Sequence, residues 1–309
     1  MSGGILVPLA VSVMTTATPL LLAALGELVV EKSGVLNLGV EGMMLAGAVA
    51  GFAVMAMTGN ASLAIVCAAL AGAALALLFG VLTLTLMSNQ VATGLALTIF
   101  GIGLSALLGS GFVGQPVPAL PKLAIPGLSD LPILGPILFG HDVLVYLSLA
   151  AVPLVSLFLD RTRAGMILRA VGESDVSAHS IGYDVIGIRY LAVLFGGAMS
   201  GLGGAYLSLA KTPLWIEEMT AGRGWIALAL VVFAAWRPGR CLAGAYLFGG
   251  VSILDLYAQG AGGIGVPTEV LSMLPYIATI VVLTIISSGA LKGRLDAPAC
   301  LGKPFRPAS

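Results

Sequence analysis

The chain has 309 residues, of which 59% are hydrophobic and only 9% are charged, and its formal net charge is zero. Soluble globular domains carry roughly 25% charged residues, so this composition excludes an ordinary soluble domain, and the lack of a basic excess excludes a nucleic-acid-binding chain. The tract from Gly42 to Leu120 contains neither a charged residue nor a histidine. Since a helix needs about 20 apolar residues to cross a bilayer, this tract alone predicts three or four crossings.

The apolar runs predict an all-α polytopic membrane protein in which residues 1–309 form a single transmembrane domain. We expect about nine transmembrane helices, within a range of eight to ten, and a broken helix near residues 31–41. In chain order the predicted spans are Val7–Val29, Leu36–Met57, Leu63–Met87, Val91–Gly111, Val143–Leu159, Tyr190–Ala210, Trp225–Trp236, Leu242–Tyr257 and Leu271–Ser287.

Arginine and lysine residues set the predicted orientation, because they favour short cytoplasmic loops. They concentrate between the fifth and sixth spans, after the seventh span and in the C-terminal tail. An even number of predicted crossings separates each of these stretches from the next, so all three can be cytoplasmic. This places the N-terminus outside and the C-terminus in the cytoplasm. The outer side then receives a Pro-rich loop, residues 112–142, and the segment Lys211–Thr220.

The segment Glu31–Glu41 (EKSGVLNLGVE) lies between the first two spans and combines three charges with Asn37, Gly34 and Gly39. One interpretation is an ordinary cytoplasmic turn with solvated charges. The other is a broken membrane helix beside a transport path, because non-helical backbone persists at membrane depth only where protein or a water-filled cavity covers it. Ionisable groups at such a place are functional candidates. The residues alone leave both interpretations open.

The largest predicted cytoplasmic segment, residues 160–189, is polar and amphipathic, with helical stretches interrupted at Gly172 and Gly182. Ser174 is placed to cap a helix whose first turn contains Asp175, where the helix dipole favours a carboxylate. A plain linker needs fewer residues than this. The segment therefore predicts a surface on which a soluble partner docks.

Residues suited to catalysis or metal binding are scarce. The two histidines, His141 and His179, lie in different predicted loops, and the three cysteines have neither a metal-ligand spacing nor a pairing pattern. A phosphate-binding loop at residues 26–33 (GELVVEKS) fails, because Glu31 stands where glycine must let the backbone wrap the phosphate. We therefore predict no catalytic residue, no metal site and no cofactor bound by this chain.

Three stretches, in this order, resemble the permease subunits of bacterial ATP-binding-cassette (ABC) importers, in the branch that serves simple sugars, nucleosides and branched-chain amino acids. They read SGVLNLGVEGMMLA at residues 33–46, RAVGESDVSAHSIG at residues 169–182 and TAGRGWIALALVVF at residues 220–233. The first, through its tract LNLGVEGMM, is most similar to nucleoside-type permeases. Asn37 replaces the Asp found in the GGIDLS tract of sugar permeases, which argues against a ribose-type sugar. The resemblance covers nearly the whole chain.

The resemblance implies roles for the residues that match each stretch. The residues that match the broken helix beside the substrate path are Gly34, Asn37, Gly39, Glu41 and Gly42. Those that match the coupling segment, which docks on the ATPase, are Arg169, Gly172, Glu173, Asp175 and Gly182. Those of the third motif are Gly222, Arg223 and Gly224.

The resemblance also implies partners and a location. We expect a second permease subunit, a paralogue of this one, together with ATPase subunits that bind the ATP and an extracytoplasmic substrate-binding protein. The chain would lie among the lipids of the bacterial cytoplasmic (inner) membrane, without contact to nucleic acid. Glu217, Glu218 and Trp215 would be available to the binding protein on the outer side.

The expected function is inward movement of a small polar solute, a nucleoside or purine, driven by ATP hydrolysis on the partner subunits. Within the same importer class the alternative solute is a simple sugar such as ribose. A different class of function is an ion-coupled secondary transporter, which needs carboxylates at the bilayer midplane, ideally in two halves of an inverted repeat. A further alternative is an assembly subunit that transports nothing itself.

Overall fold

A computed structural model describes residues 3–123, 129, 134–260 and 297–306, together with residues 273, 277, 280, 281 and 284. This part of the chain is all-α, with only isolated β-bridges besides its eleven helices. In chain order the helices are α1 (Gly3–Lys32), α2 (Val40–Thr58), α3 (Ala61–Gly80), α4 (Gln90–Gly109), α5 (Leu134–Leu138), α6 (Val143–Arg161), α7 (Arg163–Glu173), α8 (Asp175–Ser180), α9 (Val185–Tyr206), α10 (Arg223–Phe233) and α11 (Pro238–Gly260).

Within the described part of the chain, six helices are long and apolar enough to cross a membrane: α1 to α4, α6 and α9. Short π-helical or 3-10 turns extend three of them, α3 by Val81–Thr85, α4 by Ser110–Phe112 and α9 by Leu207–Lys211. These six coincide with the first six predicted spans. The seventh and eighth predicted spans correspond to α10 and α11, although α10 has only 11 residues. The ninth lies mostly outside the described residues.

The predicted break in the helix near residues 31–41 is present. The helix α1 ends at Lys32, α2 begins at Val40, and residues 33–39 between them (the helix break) are not helical. The residues around it are buried: Glu31 is 1% exposed, Asn37 0% and Glu41 6%. The interpretation of this segment as a solvated turn is therefore excluded.

The coupling segment, residues 160–189, forms α7 and α8 between the ends of α6 and α9. A polar side chain caps the N-terminus of each helix that begins in this segment. The predicted cap by Ser174 is confirmed, because its Oγ accepts a hydrogen bond from the Ser177 N–H at 3.3 Å. The interruption falls at Ser174 rather than at Gly172, which lies inside α7.

The helix α9 packs against α1, α2 and α3 in the centre of the bundle. Its small residues Gly197, Gly201 and Ala205 permit this close approach, because a Cβ at Gly201 would lie 2.3 Å from the Ala68 carbonyl oxygen. The outer faces are apolar instead, as suits lipid, with Ile99 and Leu107 of α4 71% and 73% exposed. This stripe of small residues therefore lets α9 pack tightly against α3.

The coupling segment and the Pro-rich loop lie at opposite ends of the bundle. The helix α9 begins beside α8 and, with its π-helical extension, runs for 27 residues, a length of about 40 Å. At its far end the Leu209 carbonyl accepts a hydrogen bond from the Leu120 N–H at 3.0 Å, and the Pro213 carbonyl accepts one from the Val117 N–H at 3.2 Å. The regions predicted for opposite sides of the membrane are thus separated by the length of one membrane-crossing helix.

Candidate functional site

The helix break turns back along α1 instead of leaving the bundle. Asn37 follows the end of α1, yet its N–H donates to Glu27 Oε1, inside α1, at 3.1 Å. Gly34 starts the reversal with a φ of +89°, a conformation that strains other residues. The break therefore lies beside the last turns of α1, with α2 starting at the level of Glu27.

Side chains from within the bundle satisfy the free backbone groups of the break. Gln90 Oε1 accepts the Leu36 N–H at 2.8 Å, and the Thr98 hydroxyl donates to the Leu38 carbonyl at 3.0 Å. Asn37 acts locally: its Oδ1 accepts the Gly39 N–H at 2.9 Å and so shapes the turn before α2. Protein groups thus cover the irregular backbone, as an apolar surrounding requires.

Glu41 joins the break to the third motif by capping α10. Its Oε1 accepts hydrogen bonds from the Thr220 hydroxyl at 2.6 Å and the Gly222 N–H at 2.8 Å, and its Oε2 accepts the Gly224 N–H at 2.5 Å. A carboxylate at a helix N-terminus satisfies free N–H groups and complements the helix dipole. Arg223 donates from Nη1 to the carbonyls of Met219 and Thr220, at 3.0 Å each.

A second carboxylate holds the other end of α10. The indole N–H of Trp236, just beyond that helix, donates to Glu31 Oε2 at 2.5 Å. Glu31 and Glu41 flank the break on either side, so α10 is attached at both ends to residues next to the break. Glu27, one turn before Glu31 on α1, is fully buried, and its Oε2 has no hydrogen-bond partner among the described residues.

The coupling segment contacts the same break through a buried ion pair. Arg189, at the start of α9, donates from Nη2 to Asp175 Oδ2 at 3.1 Å and from Nε to the Ser33 carbonyl at 3.1 Å. The Arg189 side chain is 1% exposed and that of Asp175 12%. One guanidinium therefore bonds both to α8 and to the first residue of the break.

Close backbone packing reinforces this contact. A Cβ at Gly172 would lie 2.1 Å from the Lys32 carbonyl oxygen, so only glycine lets α7 approach the end of α1 this closely. The C-terminal tail, residues 297–306, crosses the same place: the Cys300 N–H donates to the Gly172 carbonyl at 2.9 Å, and the Gly302 N–H donates to the Gly34 carbonyl at 3.1 Å.

The remaining predicted residues lie at the edge of this arrangement or serve packing. Gly42 packs against α4, where a Cβ would lie 2.6 Å from the Leu97 carbonyl oxygen. Glu173 is exposed, Arg169 pairs with Asp160 at 3.5 Å, and Gly182 forms the turn after α8. The structure thus brings together parts of all three predicted motifs but leaves the outer part of the coupling segment on the surface.

Sequence reasoning missed four residues of the site: Glu27, Arg189, Thr220 and Trp236. An ionisable residue inside an apolar span is a functional candidate, and that rule would have drawn attention to Glu27 within Val7–Val29. Arg189 lies just before the predicted span Tyr190–Ala210, so the rule does not reach it. The roles of Thr220 and Trp236 have no such signal, because their partners are 179 and 205 positions away in the sequence.

Comparisons with known proteins identify the family of this chain. Residues 9–283 match the family described as branched-chain amino acid transport system / permease component. The chain is 44% identical over 306 residues to the putative glucose ABC transporter permease protein TsgC13 of Haloferax volcanii, covering 92% of this chain and 93% of that protein.

Two further relatives are named for nucleosides. The chain is 32% identical over 310 residues to the guanosine ABC transporter permease protein NupQ of Bacillus subtilis, covering 94% of this chain and 93% of that protein. It is 30% identical over 292 residues to the nucleoside ABC transporter permease protein NupC of Lactococcus lactis, covering 91% and 92%. With a family match over most of its length and relatives aligned almost end to end, the chain belongs to the branched-chain amino acid transport system / permease component family.

Proposed function

We propose that this chain is one of two membrane subunits of an ABC importer that moves a nucleoside inward, with glucose as the second candidate. The family and the relatives support the coarser statement, a multi-pass permease subunit of an importer for sugars or nucleosides. In the proposed complex the partner membrane subunit is a paralogue, ATPase subunits bind and hydrolyse the ATP, and an extracytoplasmic protein delivers the solute.

The contact of Arg189 with both Asp175 and the Ser33 carbonyl carries the proposed mechanism. The ATPase docks on α7 and α8 and moves them as ATP binds and is hydrolysed. Because Arg189 ties α8 to the first residue of the break, and Gly172 leaves no space between α7 and Lys32, this movement reaches the break directly. The coupling segment and the break then shift together as one element with two states.

The break passes the movement to α10 through its two flanking carboxylates. Glu41 holds the N-terminus of α10 and Glu31 holds Trp236 beyond its C-terminus. Because Glu41 belongs to α2 and Glu31 to α1, a shift of the break and α2 relative to α1 moves the N-terminus of α10 while its other end stays attached to α1. In this proposal Asn37, Glu41 and the glycines around them shape the wall of the solute path rather than bind the solute with free side chains.

The choice of solute does not depend on Asn37 in this arrangement. Its side chain is fully buried, accepts a hydrogen bond from the Gly39 N–H and donates one to the Met43 sulfur. The difference between Asn37 here and the Asp of sugar permeases therefore affects the shape of the break rather than contact with the solute. Two relatives named for nucleosides favour a nucleoside, and the 44% identical relative named for glucose is the specific observation that favours the sugar.

The proposed orientation places the coupling segment in the cytoplasm, the N-terminus outside and the C-terminus inside, in the cytoplasmic membrane. Glu217 and Glu218 are exposed at the opposite end and suit contact with the binding protein, whereas Trp215 is 1% exposed and is not available to it. The expectation that Trp215 takes part in that contact is therefore wrong, because its ring fills a space beside Gly109.

Uptake by whole cells tests the proposed function. Cells that express this chain with its genomic neighbours are given radiolabelled guanosine, glucose or ribose, and a strain that lacks only this chain is the control. Loss of guanosine uptake in the control strain supports the nucleoside, and loss of glucose uptake alone assigns the sugar. Unchanged uptake of all three solutes would contradict both candidates.

A further inference from the structure

The helix α1 buries two carboxyl groups one turn apart, next to the break. Glu27 is 0% exposed and Glu31 is 1% exposed, and their spacing of four residues places both side chains on one face of the helix. Two negative charges this close repel each other, and burial deprives them of the solvation that water gives. Such a pair is stable only if cations neutralise it or if it keeps a proton.

The hydrogen bonds of the two groups differ, and the difference locates the proton. Glu31 Oε2 accepts the indole N–H of Trp236, as an ionised carboxylate does. Glu27 Oε1 accepts the Asn37 N–H at 3.1 Å, but Glu27 Oε2 is buried and has no partner among the described residues. Gln90, which binds the preceding peptide N–H of the break, does not donate to it, since Gln90 Nε2 also lacks a described partner. Glu27 therefore lacks a donor that its second oxygen needs when ionised.

In the described part of the chain, the cations on the helices around α1 do not pair with Glu27. Arg189 of α9 binds Asp175 and the Ser33 carbonyl instead. Arg223, at the start of α10, binds two backbone carbonyls of the segment before that helix. Three further cations line a polar cavity at the end of the bundle: Lys32, Arg237 and Arg240. Neutralisation by a described cation is therefore excluded.

The other groups that face the pair add no positive charge. Glu41 of α2 accepts three hydrogen bonds at the N-terminus of α10. The Cys241 thiol of α11 is buried and interacts electrostatically with Glu31. The helix α6 contributes apolar side chains such as Val155 beside Val29. A retained proton is therefore the remaining way to neutralise Glu27.

We propose that Glu27 is a proton-binding site and that the break controls its access to water. With the break packed against α1, Glu27 is a neutral carboxylic acid and Glu31 is ionised. When the break moves away, the Asn37 N–H leaves Glu27 and water reaches the carboxyl group. The O–H bond of Glu27 then breaks, the proton passes to water and a solvated carboxylate remains. The bound proton does not depend on the proposed function, whereas its release rests on the movement proposed for the importer.

Infrared spectroscopy of the purified full-length chain tests the bound proton, because the C=O stretch of a carboxylic acid is separate from the bands of a carboxylate. Spectra are recorded at about pH 7, where exposed Asp and Glu side chains are ionised, in a detergent without carbonyl groups. The variants are Glu27→Gln and Glu31→Gln, and Glu217→Gln is the control at an exposed position. We expect the acid band in the unaltered chain, in Glu31→Gln and in the control, and its loss in Glu27→Gln.

The pH dependence of stability gives a second readout that needs no assignment of bands. An unfolded Glu side chain loses its proton near about pH 4.3, so a folded chain that keeps the proton binds one more than the unfolded chain at higher pH. Stability then falls as the pH rises, by up to about tenfold in the unfolding equilibrium constant per pH unit. We expect the unfolding temperature of the unaltered chain and of Glu217→Gln to fall between about pH 5 and pH 7, and that of Glu27→Gln to change less.

The assembled importer tests control by the break. A non-hydrolysable ATP analogue holds the ATPase subunits in their ATP-bound state, and infrared spectra are compared with and without it. The acid band should weaken when the analogue is added to the unaltered importer, because the break then moves and Glu27 loses its proton. The Glu27→Gln importer should show no such change.

Three results would overturn the proposal. The first is an acid band of equal size in the unaltered chain and in Glu27→Gln. The second is loss of that band in Glu31→Gln alone, which assigns the proton to Glu31. The third is an acid band that does not respond to the ATP analogue in an importer that still takes up solute. An importer without uptake contradicts the proposed function instead, so the two failures are distinguishable.

Discussion

At the scale of single residues, two buried carboxylates determine where α10 lies. Each receives hydrogen bonds from one end of this helix, Glu41 from three donors and Glu31 from Trp236. The helix has only 11 residues, and short helices gain little stability from their own backbone bonds. Its position therefore depends on these attachments.

Removing the carboxylate of Glu41 should loosen α10. Glu41→Ala leaves three donors without their acceptor, and we expect a loss of at least about 2 kcal/mol in the free energy of unfolding. Glu41→Gln keeps an acceptor oxygen and should lose less. Thermal unfolding of the purified chain in detergent measures both. Glu217→Ala removes an exposed carboxylate and is the control; an equal effect of the two alanine variants would show that Glu41 does not cap α10.

The ion pair of Arg189 and Asp175 should matter far more than the pair of Arg169 and Asp160. The first is buried, whereas the side chains of the second are 41% and 60% exposed. Breaking a buried pair costs about 3–5 kcal/mol, and an exposed pair contributes less than about 1 kcal/mol. We expect Asp175→Ala to lower the unfolding temperature strongly and Asp160→Ala to change it little.

Transport assays of the same variants test the proposed coupling. In the assembled importer a milder change, Asp175→Asn, should reduce solute uptake per ATP hydrolysed, because α8 then moves without its charged link to the break. Asp160→Asn should leave that ratio unchanged. An equal fall in uptake and hydrolysis in the Asp175→Asn importer would point to loss of assembly rather than loss of coupling.

At the scale of helices, small residues decide which elements meet. The Gly201 position of α9 faces the Ala68 carbonyl of α3 so closely that a methyl group does not fit. Gly103 of α4 has open space around it instead. The same substitution should therefore have opposite effects at the two positions.

Gly201→Ala should destabilise the bundle by about 1–3 kcal/mol, because α3 and α9 must separate to admit the methyl group. Gly103→Ala should be neutral or stabilise by up to about 1 kcal/mol, since it only restricts the unfolded chain. Comparison of the two unfolding temperatures checks this. Similar destabilisation by both would mean that α4 is also packed on that face in the assembled protein.

The sequence predicts where the membrane helices lie along the chain better than it predicts which helices are in contact. The six long spans follow from apolar composition and length, and the break follows from glycine and polar residues between two of them. The contacts Trp236–Glu31 and Arg189–Ser33 could not be predicted, because an apolar pattern identifies what lies in the membrane without specifying which helices touch. The role of the outer part of the coupling segment stays a prediction, because the partner expected to dock there is a different chain.

At the scale of the whole molecule, the two ends of the bundle differ in chemistry. One end carries α7 and α8, and the other carries the Pro-rich loop and the exposed Glu217. Because α9 connects them over about 40 Å, the two ends face different compartments if the chain spans the membrane as proposed.

Cysteine labelling should separate these ends. In a chain whose three native cysteines are replaced, Glu217→Cys should react with a membrane-impermeant maleimide in intact cells, and His179→Cys should react only after the cells are opened. Both positions are exposed in the structure, and the chain is expressed without ATPase subunits that would cover α8, so lack of access through burial does not explain a negative result. The reverse pattern would invert the proposed orientation.

The bond between the Gly302 N–H and the Gly34 carbonyl constrains how the protein is made. Gly34 leaves the ribosome early, whereas Gly302 is synthesised only after every described membrane-crossing helix. The Gly34 carbonyl therefore lacks its hydrogen bond to Gly302 while those helices are inserted. The break follows the first described helix, yet its bond to the tail forms only after the last of those helices has been made. Quality-control proteins that act on unfinished chains would therefore find the Gly34 carbonyl still without this bond.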